Sequence, residues 1–406
     1  MRILVVRTSA LGDSVLATPV LRALHERHPG SELHFVTQPG WAALFDDLPF
    51  VTQVWRWGKE GGAVRSLAAL AAALRRSGPF DLAVDLQNSP KARLLVAAVR
   101  PRRAIHFVKR KTLGAVLGSL VGDDPVLDDL PAAALYLEAL GPLGFPTHAA
   151  AEGDGADLVP LRADDGTGAS GPPPIRDPVT GWDLRPAIRI PADARARADE
   201  LLAQAGDEAP IVALAPGGRW ATKRWPAERF AKVGDALAGE GARIVLAGGP
   251  GDAAEIRAVA AAMQAEVLAD TLDLDVPGLC ALIERASVLV SCDSAPSHLA
   301  QAVGTPVVTV VGPTSARRWG PLPGAGVAVS LPLGCAPCSN FGKRPCHLGH
   351  HACMRDLGPE AVIAAARAAL RGGRMGGGAA AGAQFLRERA SLALQVATTR
   401  REVNGR

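Results

Sequence analysis

Short apolar runs alternate with amphipathic helical patterns twice along this 406-residue chain, and that alternation leaves few folds open. In the first series the candidate strands are 3–7, 33–37, 51–55, 82–86 and 104–108, with helical patterns at 14–28, 63–76 and 91–99. A second series offers strands at 211–215, 243–247, 288–291 and 307–311, separated by helices near 227–239, 252–264 and 276–286. Strand–helix–strand alternation implies a parallel sheet with helices on both faces. Two doubly wound α/β units in tandem are the simplest account. The length agrees, since 406 residues exceed what one ordinary core organises.

Between the two series, residues 149–183 are rich in Gly, Pro, Ala and Asp, with Gly171-Pro172-Pro173-Pro174 at the centre. Such a composition cannot bury a core and predicts a loop or partly disordered insertion. A helix over 193–205 then leads into the second unit, with the boundary near 206–209. The expected organisation is a first domain at 1–190 carrying an insertion at 149–185, a second at 207–371, and a tail at 372–406. In that tail a glycine-rich joint precedes a candidate helix at 383–401.

With 48% hydrophobic and 21% charged residues, the composition is that of a folded soluble protein. A net charge of +4 is small for this length and gives no reason to expect a nucleic-acid partner. The excess is concentrated early, in Arg100, Arg102, Arg103, Lys109, Arg110 and Lys111. A solvated face is the ordinary reading of such a run. The sharper one is a landing surface for an anionic acceptor or an anionic membrane. No stretch has the roughly 18 uninterrupted apolar residues of a membrane span. Residues 1–6 run straight into a strand instead of forming a signal peptide. The expectation is a cytoplasmic protein whose six cysteines are reduced.

Three stretches carry chemistry. Arg7-Thr8-Ser9-Ala10-Leu11-Gly12-Asp13-Ser14 joins the first strand to the first helix and lacks the dinucleotide-binding G-x-G-x-x-G. Gly12 permits a positive-φ turn or a close substrate approach. Asp13, at the helix start, is either an N-cap or a carboxylate able to take a proton from a hydroxyl, and one residue can be both. In the second stretch, 215–226, Gly217 and Gly218 bring backbone N–H groups towards an anion, and Lys223 and Arg224 add cationic heads. A surface basic pair is the plainer alternative, but Trp220 and Trp225 argue for an ordered loop. The third, Ser291-Cys292-Asp293-Ser294-Ala295-Pro296-Ser297-His298, turns an apolar strand directly into a helix. Helix N–H groups without partners then face the crevice beyond the strand ends, where a phosphate is the natural guest. His298 could equally be a helix-face histidine satisfied by a backbone carbonyl.

Together these stretches resemble the heptosyltransferase family of bacterial glycosyltransferases. The shared motifs are R-T-S-A-L-G-D, P-G-G-x-W-x-x-K-R-W-P, D-S-A-P-S-H-L-A and G-P-T-S. The tract ending Gly349-His350-His351-Ala352-Cys353-Met354 is most similar to the branch that adds the second heptose of the lipopolysaccharide inner core. The resemblance implies a GT-B fold, two Rossmann-like domains facing across a cleft. It also implies inverting transfer of a heptose from ADP-heptose to a Kdo or heptose of a lipid-linked acceptor. Asp13 would be the general base, Lys223 the diphosphate-contacting lysine, and Asp293, Ser294, Ala295 and His298 the edge of the donor site. This chain has Ser294-Ala295 where the family commonly has Thr-Gly. Serine keeps the hydroxyl, while Ala295 adds a methyl where backbone approaches phosphate. Peripheral contact with the inner membrane would follow from a lipid acceptor.

No cofactor is expected to be required, because no paired carboxylates converge with the phosphate motifs; bound Mg2+ would assist at most. Cys335, Cys338, Cys346 and Cys353 have zinc-like ligand chemistry at a spacing that matches no standard zinc module, so reduced thiols in a compact loop are the main expectation and a structural zinc the lesser one. Rival functions are a transfer reaction with another donor or acceptor, a sugar-nucleotide epimerase, and an inert sugar-nucleotide-binding scaffold.

Overall fold

The computed structural model describes residues 1–58, 62–107, 130–148, 174–203 and 209–372. The described chain forms two compact units, one running up to Pro191 and the other starting at Ala192.

The first unit is a five-stranded sheet in the order β3-β2-β1-β4-β5. Its strands are β1 (Arg2–Val6), β2 (Glu32–Thr37), β3 (Gln53–Arg56), β4 (Leu82–Asp85) and β5 (Arg103–His106), all paired in parallel. Leu4, Val6, Val36 and Ala83 point to one face and pack under Leu70 and Leu74 of the helix Ala63–Arg76 and under Leu95 of Pro90–Val99. Ile3 and Val5 are equally buried on the opposite face. Burial on both faces explains the unbroken apolar character of these strands.

The single helix expected over 14–28 is two, α1 (Leu11–Leu16) and α2 (Thr18–Arg27). Pro19 explains the break. It has no N–H to give the carbonyl of Val15, and the Thr18 hydroxyl donates to that carbonyl instead at 2.7 Å. The low-complexity reading of 149–185 also needs correction at its carboxyl end. Residues 174–184 form a tight turn closed by a bridge between Arg176 and Asp183. Trp182 is 2% exposed, stacks on Phe145 and donates from its indole to the carbonyl of Pro146. One tryptophan and a buried Asp177 that accepts from Val179 and Thr180 order a stretch whose composition reads as structureless.

The second unit is a six-stranded parallel sheet in the order β11-β10-β9-β6-β7-β8. Four of its strands were legible: β6 (Ile211–Ala215), β7 (Arg243–Leu246), β9 (Val288–Cys292) and β10 (Val307–Val310). The edge strands β8 (Val267–Asp270) and β11 (Gly326–Val329) were not expected, nor was the helix Pro359–Gly372. Both strands are only four residues long, and their short apolar runs do not stand out in an alanine-rich chain. Val212, Leu214, Val290, Val308 and Phe230 form the core on the face that Pro359–Gly372 covers through Val362 and Ala366.

The helix Ala192–Leu202 ends before residue 205 and belongs to this second unit. Ion pairs tie it to the helix Val276–Arg285 and its cap, Arg195 to Glu284 at 2.7 Å and Arg197 to Asp275 at 3.0 Å. The candidate helix at 383–401 and most of the candidate insertion lie outside the described residues.

Candidate active site

Each sheet reverses its winding direction once, and each reversal carries one group of candidate residues. In the first unit the reversal lies between β1 and β4, and in the second between β6 and β9. Crevices beyond the carboxyl ends of strands at such points are where open α/β sheets bind ligands.

At the end of β1, Asp13 is the third residue of α1, with Ala10 in the N-cap position. Its Oδ2 accepts from the N–H of Ala10 at 3.0 Å, so Asp13 ties down the helix terminus as the capping reading expects, but from inside the helix. Its Oδ1 takes two further donors: Arg7 forms an ion pair at 2.9 Å, and the Tyr136 hydroxyl donates a hydrogen bond. Burial pushes the Asp13 carboxyl up, yet Arg7, Tyr136 and the Ala10 N–H outweigh it and hold the carboxyl below the usual carboxylate range. Such a group stabilises the fold above the ordinary carboxyl pKa, and this contribution is lost as pH falls through the lowered folded value. Burial, then the Asp13 charge, pushes the Tyr136 phenol well above its ordinary pKa, which keeps it a neutral donor.

Arg7 is itself braced. Its guanidinium lies 4.8 Å from the centre of the Tyr136 ring and donates to the carbonyl of Leu86. The loop before Asp13 is gripped by Gln87, whose Oε1 accepts from the N–H groups of Thr8 and Ser9 at 3.0 Å each. Of the two roles Gly12 permits, a positive-φ turn and a close substrate approach, the first is not used. Gly12 is a buried residue in the first turn of α1. Neither Arg7 nor Tyr136 was assigned a role from sequence, although Arg7 stands inside the quoted motif.

In the second unit Lys223, 9% exposed, forms an ion pair with Asp293 at 2.7 Å, and its ammonium lies 5.5 Å from the Trp319 ring centre. Asp293 Oδ2 also accepts from the hydroxyl of Thr314 at 2.6 Å. Two residues read separately from sequence are therefore one buried pair. Lys223 keeps two ammonium donors beyond the one Asp293 takes.

Ser294 is the N-cap residue of the helix Ala295–Val303, and its hydroxyl bonds back to the carbonyl of Cys292 at 3.3 Å. Among the described residues no side chain caps that helix. Ala295 opens it, and His298 lies buried in its second turn, 6.3 Å from the Trp319 ring and 3.5 Å from the amide of Gln301.

The glycine pair divides. A Cβ on Gly217 would fall 2.2 Å from Asp252 Oδ1, so that glycine exists to let the loop pass its neighbour. Gly218 lies beside Ser294, with 4.0 Å from a notional Cβ to the Ser294 Cβ. Arg224 braces this loop, donating to the carbonyl of Gly218 at 2.9 Å and pairing with Glu255 at 2.5 Å.

The cysteine tract supports the same loop. The Thr222 hydroxyl donates to the carbonyl of Gly342, and His351 Nε2 donates to the carbonyl of Thr222 at 2.7 Å. Gly342, at φ +72°, lies against Lys223, whose Cγ would be 2.8 Å from an added Cβ. All six cysteines are free thiols. Burial, then the neighbouring Cys338, Cys346 and Cys335, pushes the Cys353 thiol up to about 11. Among the described residues no group of three His, Cys, Asp or Glu is placed to hold a metal ion.

Of the basic cluster, Arg102 pairs with Asp81 at 3.1 Å and Arg103 donates to the carbonyl of Pro142; Lys109, Arg110 and Lys111 lie outside the described residues. No helix among the described residues is long and apolar enough to cross a membrane.

Residues 180–348 match the family described as glycosyltransferase family 9 (heptosyltransferase). Lipopolysaccharide heptosyltransferase 3 of Escherichia coli (strain K12) is 25% identical over 325 residues, covering 76% of this chain and 82% of that protein. Among solved structures, the glycosyl transferase family 9 protein of Veillonella parvula DSM 2008 superposes with a TM-score of 0.68 at 21% identity, over 91% of this chain and 97% of the other. The E. coli ADP-heptose lps heptosyltransferase II gives 0.64 at 20% identity, over 91% and 99%. The two Rossmann-like units shared with these structures give the chain the GT-B fold, and with residues 180–348 matching glycosyltransferase family 9 the chain is a glycosyltransferase similar to the heptosyltransferases of that family.

Proposed function

We propose that this protein moves a heptose from ADP-heptose to an inner-core sugar, Kdo or heptose, of a lipopolysaccharide precursor, with inversion at the anomeric carbon. The observation that carries the reading is the Asp13 carboxylate at the end of β1, held ionised by Arg7 and Tyr136. Its chemistry suits removal of a proton from an acceptor hydroxyl. As the acceptor oxygen bonds to the anomeric carbon, the bond from that carbon to the diphosphate oxygen breaks. The proton passes to Asp13 and the electron pair leaves with ADP.

The charge that develops on the leaving diphosphate needs donors already in place. The second unit supplies them as the Lys223 ammonium and the positive end of the helix Ala295–Val303, where Pro296 has no N–H and that of Ser297 bonds to the Ser294 carbonyl, so the helix acts through its dipole. With these cations and dipoles, the scheme requires no metal ion, although Mg2+ could add to them. The names of relatives support the donor and the acceptor class: one structural neighbour is an ADP-heptose lps heptosyltransferase and one sequence relative a lipopolysaccharide heptosyltransferase. A lipid-linked acceptor would bring the enzyme to the cytoplasmic face of the inner membrane, as a peripheral protein.

The test is incubation with ADP-heptose and a truncated core lipid, with mass spectrometry of the acceptor. A gain of one heptose is expected with ADP-heptose and none with UDP- or GDP-sugars. Gain from another donor alone would move the protein to a different sugar-nucleotide transfer. Donor turnover without acceptor would point to the epimerase reading.

A further inference from the structure

The bonding of Asp13 distinguishes its two oxygens. Oδ1 holds two donors, from Arg7 and from Tyr136, while Oδ2 holds one, the Ala10 N–H. Each carboxylate oxygen offers about two lone-pair sites. Oδ1 is therefore full, and Oδ2 has one site open.

We propose that Tyr136 is a positioning residue for the reaction: with Arg7 it saturates Oδ1, so that Oδ2 is the atom that takes the acceptor proton. The inference rests on the reading of Asp13 as the general base and extends it to the residue that bonds to that base. Tyr136 is well placed for such a role. It is buried, 5% exposed, and its ring packs between Phe107 at 5.4 Å and the Arg7 guanidinium. With the ring held on both sides, the hydroxyl oxygen is fixed beside Asp13.

The charged and titratable groups around the carboxylate are few among the described residues. Arg7 faces it from the end of β1 and Tyr136 from the helix Ala132–Leu137. Behind Arg7 lies Asp85 of β4, itself bonded to His106 of β5 at 3.0 Å. A hydrogen bond donated to the ionised form lowers a carboxyl pKa, so removing the phenol should raise that of Asp13.

Tyr136 is the single tyrosine of the chain, which makes it open to two opposed changes. Tyr136→Phe keeps the ring and deletes the donor. Growth on fluorotyrosine keeps the hydroxyl, labels this one position and makes it a stronger donor, because fluorine withdraws electrons from the ring. With ADP-heptose and the truncated core lipid, the acid limb of the pH profile of kcat should rise by about one to two pH units in the Phe variant. In the fluorotyrosine protein it should fall, and KM for ADP-heptose should stay unchanged in both.

A purely structural tyrosine would lower the melting temperature in both and leave the limb in place; that result overturns the inference. Should the Phe variant not fold, the fluorotyrosine protein decides alone, by the direction of its limb. Asp13→Asn separates the two levels. If it turns over at the native rate, the base reading fails. If it is inactive while both Tyr136 changes leave the limb unmoved, the base reading stands and the positioning role falls.

Discussion

Asp13→Asn is expected to lose ~10²–10⁴-fold in kcat, the range for removing a general base, with ADP-heptose binding retained. The variant keeps the size of the side chain and an oxygen for the Ala10 N–H, so the terminus of α1 stays tied. What it loses is the negative charge that takes the proton. It also leaves the guanidinium of Arg7, whose side chain is 10% exposed, without its anionic partner, so stability falls too. The rate must therefore be measured on protein shown to be folded at the assay temperature. Had Asp13 been only a cap, its removal would cost ~1 kcal/mol of stability and leave the rate of folded enzyme unchanged.

The second large effect lies in the other unit. Asp293→Ala is expected to destabilise that unit by about 3–5 kcal/mol, because it strands the ammonium of Lys223 in a buried place without its counter-charge. Both side chains of this pair are nearly inaccessible, at 10% and 3%. The Thr314 hydroxyl loses its acceptor at the same time. Calorimetry of the full chain should show the transition of the second unit moving to lower temperature. Combining the change with Lys223→Met should recover part of the loss, since an apolar pair of similar volume carries no stranded charge. A single variant within ~1 kcal/mol of the native protein would show that water reaches the pair and that the buried arrangement is not what holds the loop.

Most of the framework could be read from sequence because central parallel strands are buried on both faces. Runs such as Ile3-Leu4-Val5-Val6 and Val288-Leu289-Val290 have no other ordinary explanation. The edge strands Val267–Asp270 and Gly326–Val329 are apolar too but only four residues long, too short to stand out in an alanine-rich chain. Pro19 was visible, yet its effect depends on the Thr18 hydroxyl taking over one carbonyl, a local exchange that no periodicity reports.

The candidate site divides in the same way. Asp13, Lys223, Asp293 and Ser294 follow strand ends, and that placement makes them candidates, while their roles come from the family resemblance. The pairing of Lys223 with Asp293 was hidden because it crosses from the end of β6 to the end of β9, and only the strand order brings those ends together. Tyr136 left no signal at all. It stands in an alanine-rich run, 123 residues from the carboxylate it touches, and nothing in Ala-Ala-Ala-Leu-Tyr-Leu distinguishes a phenol held for chemistry from one held for packing. Gly12 left two roles open for a related reason: glycine permits a turn but does not require one, and here it lies in a helix.

The most direct measurement is the anomeric configuration of the new glycosidic bond, read by NMR from the product formed with ADP-heptose. A base that activates the acceptor for a single displacement must invert the anomeric carbon, so the configuration should be opposite to that of the donor. Retention would mean two displacements through a covalent intermediate or a front-side path, and Asp13 as the proton acceptor for a direct attack would be wrong.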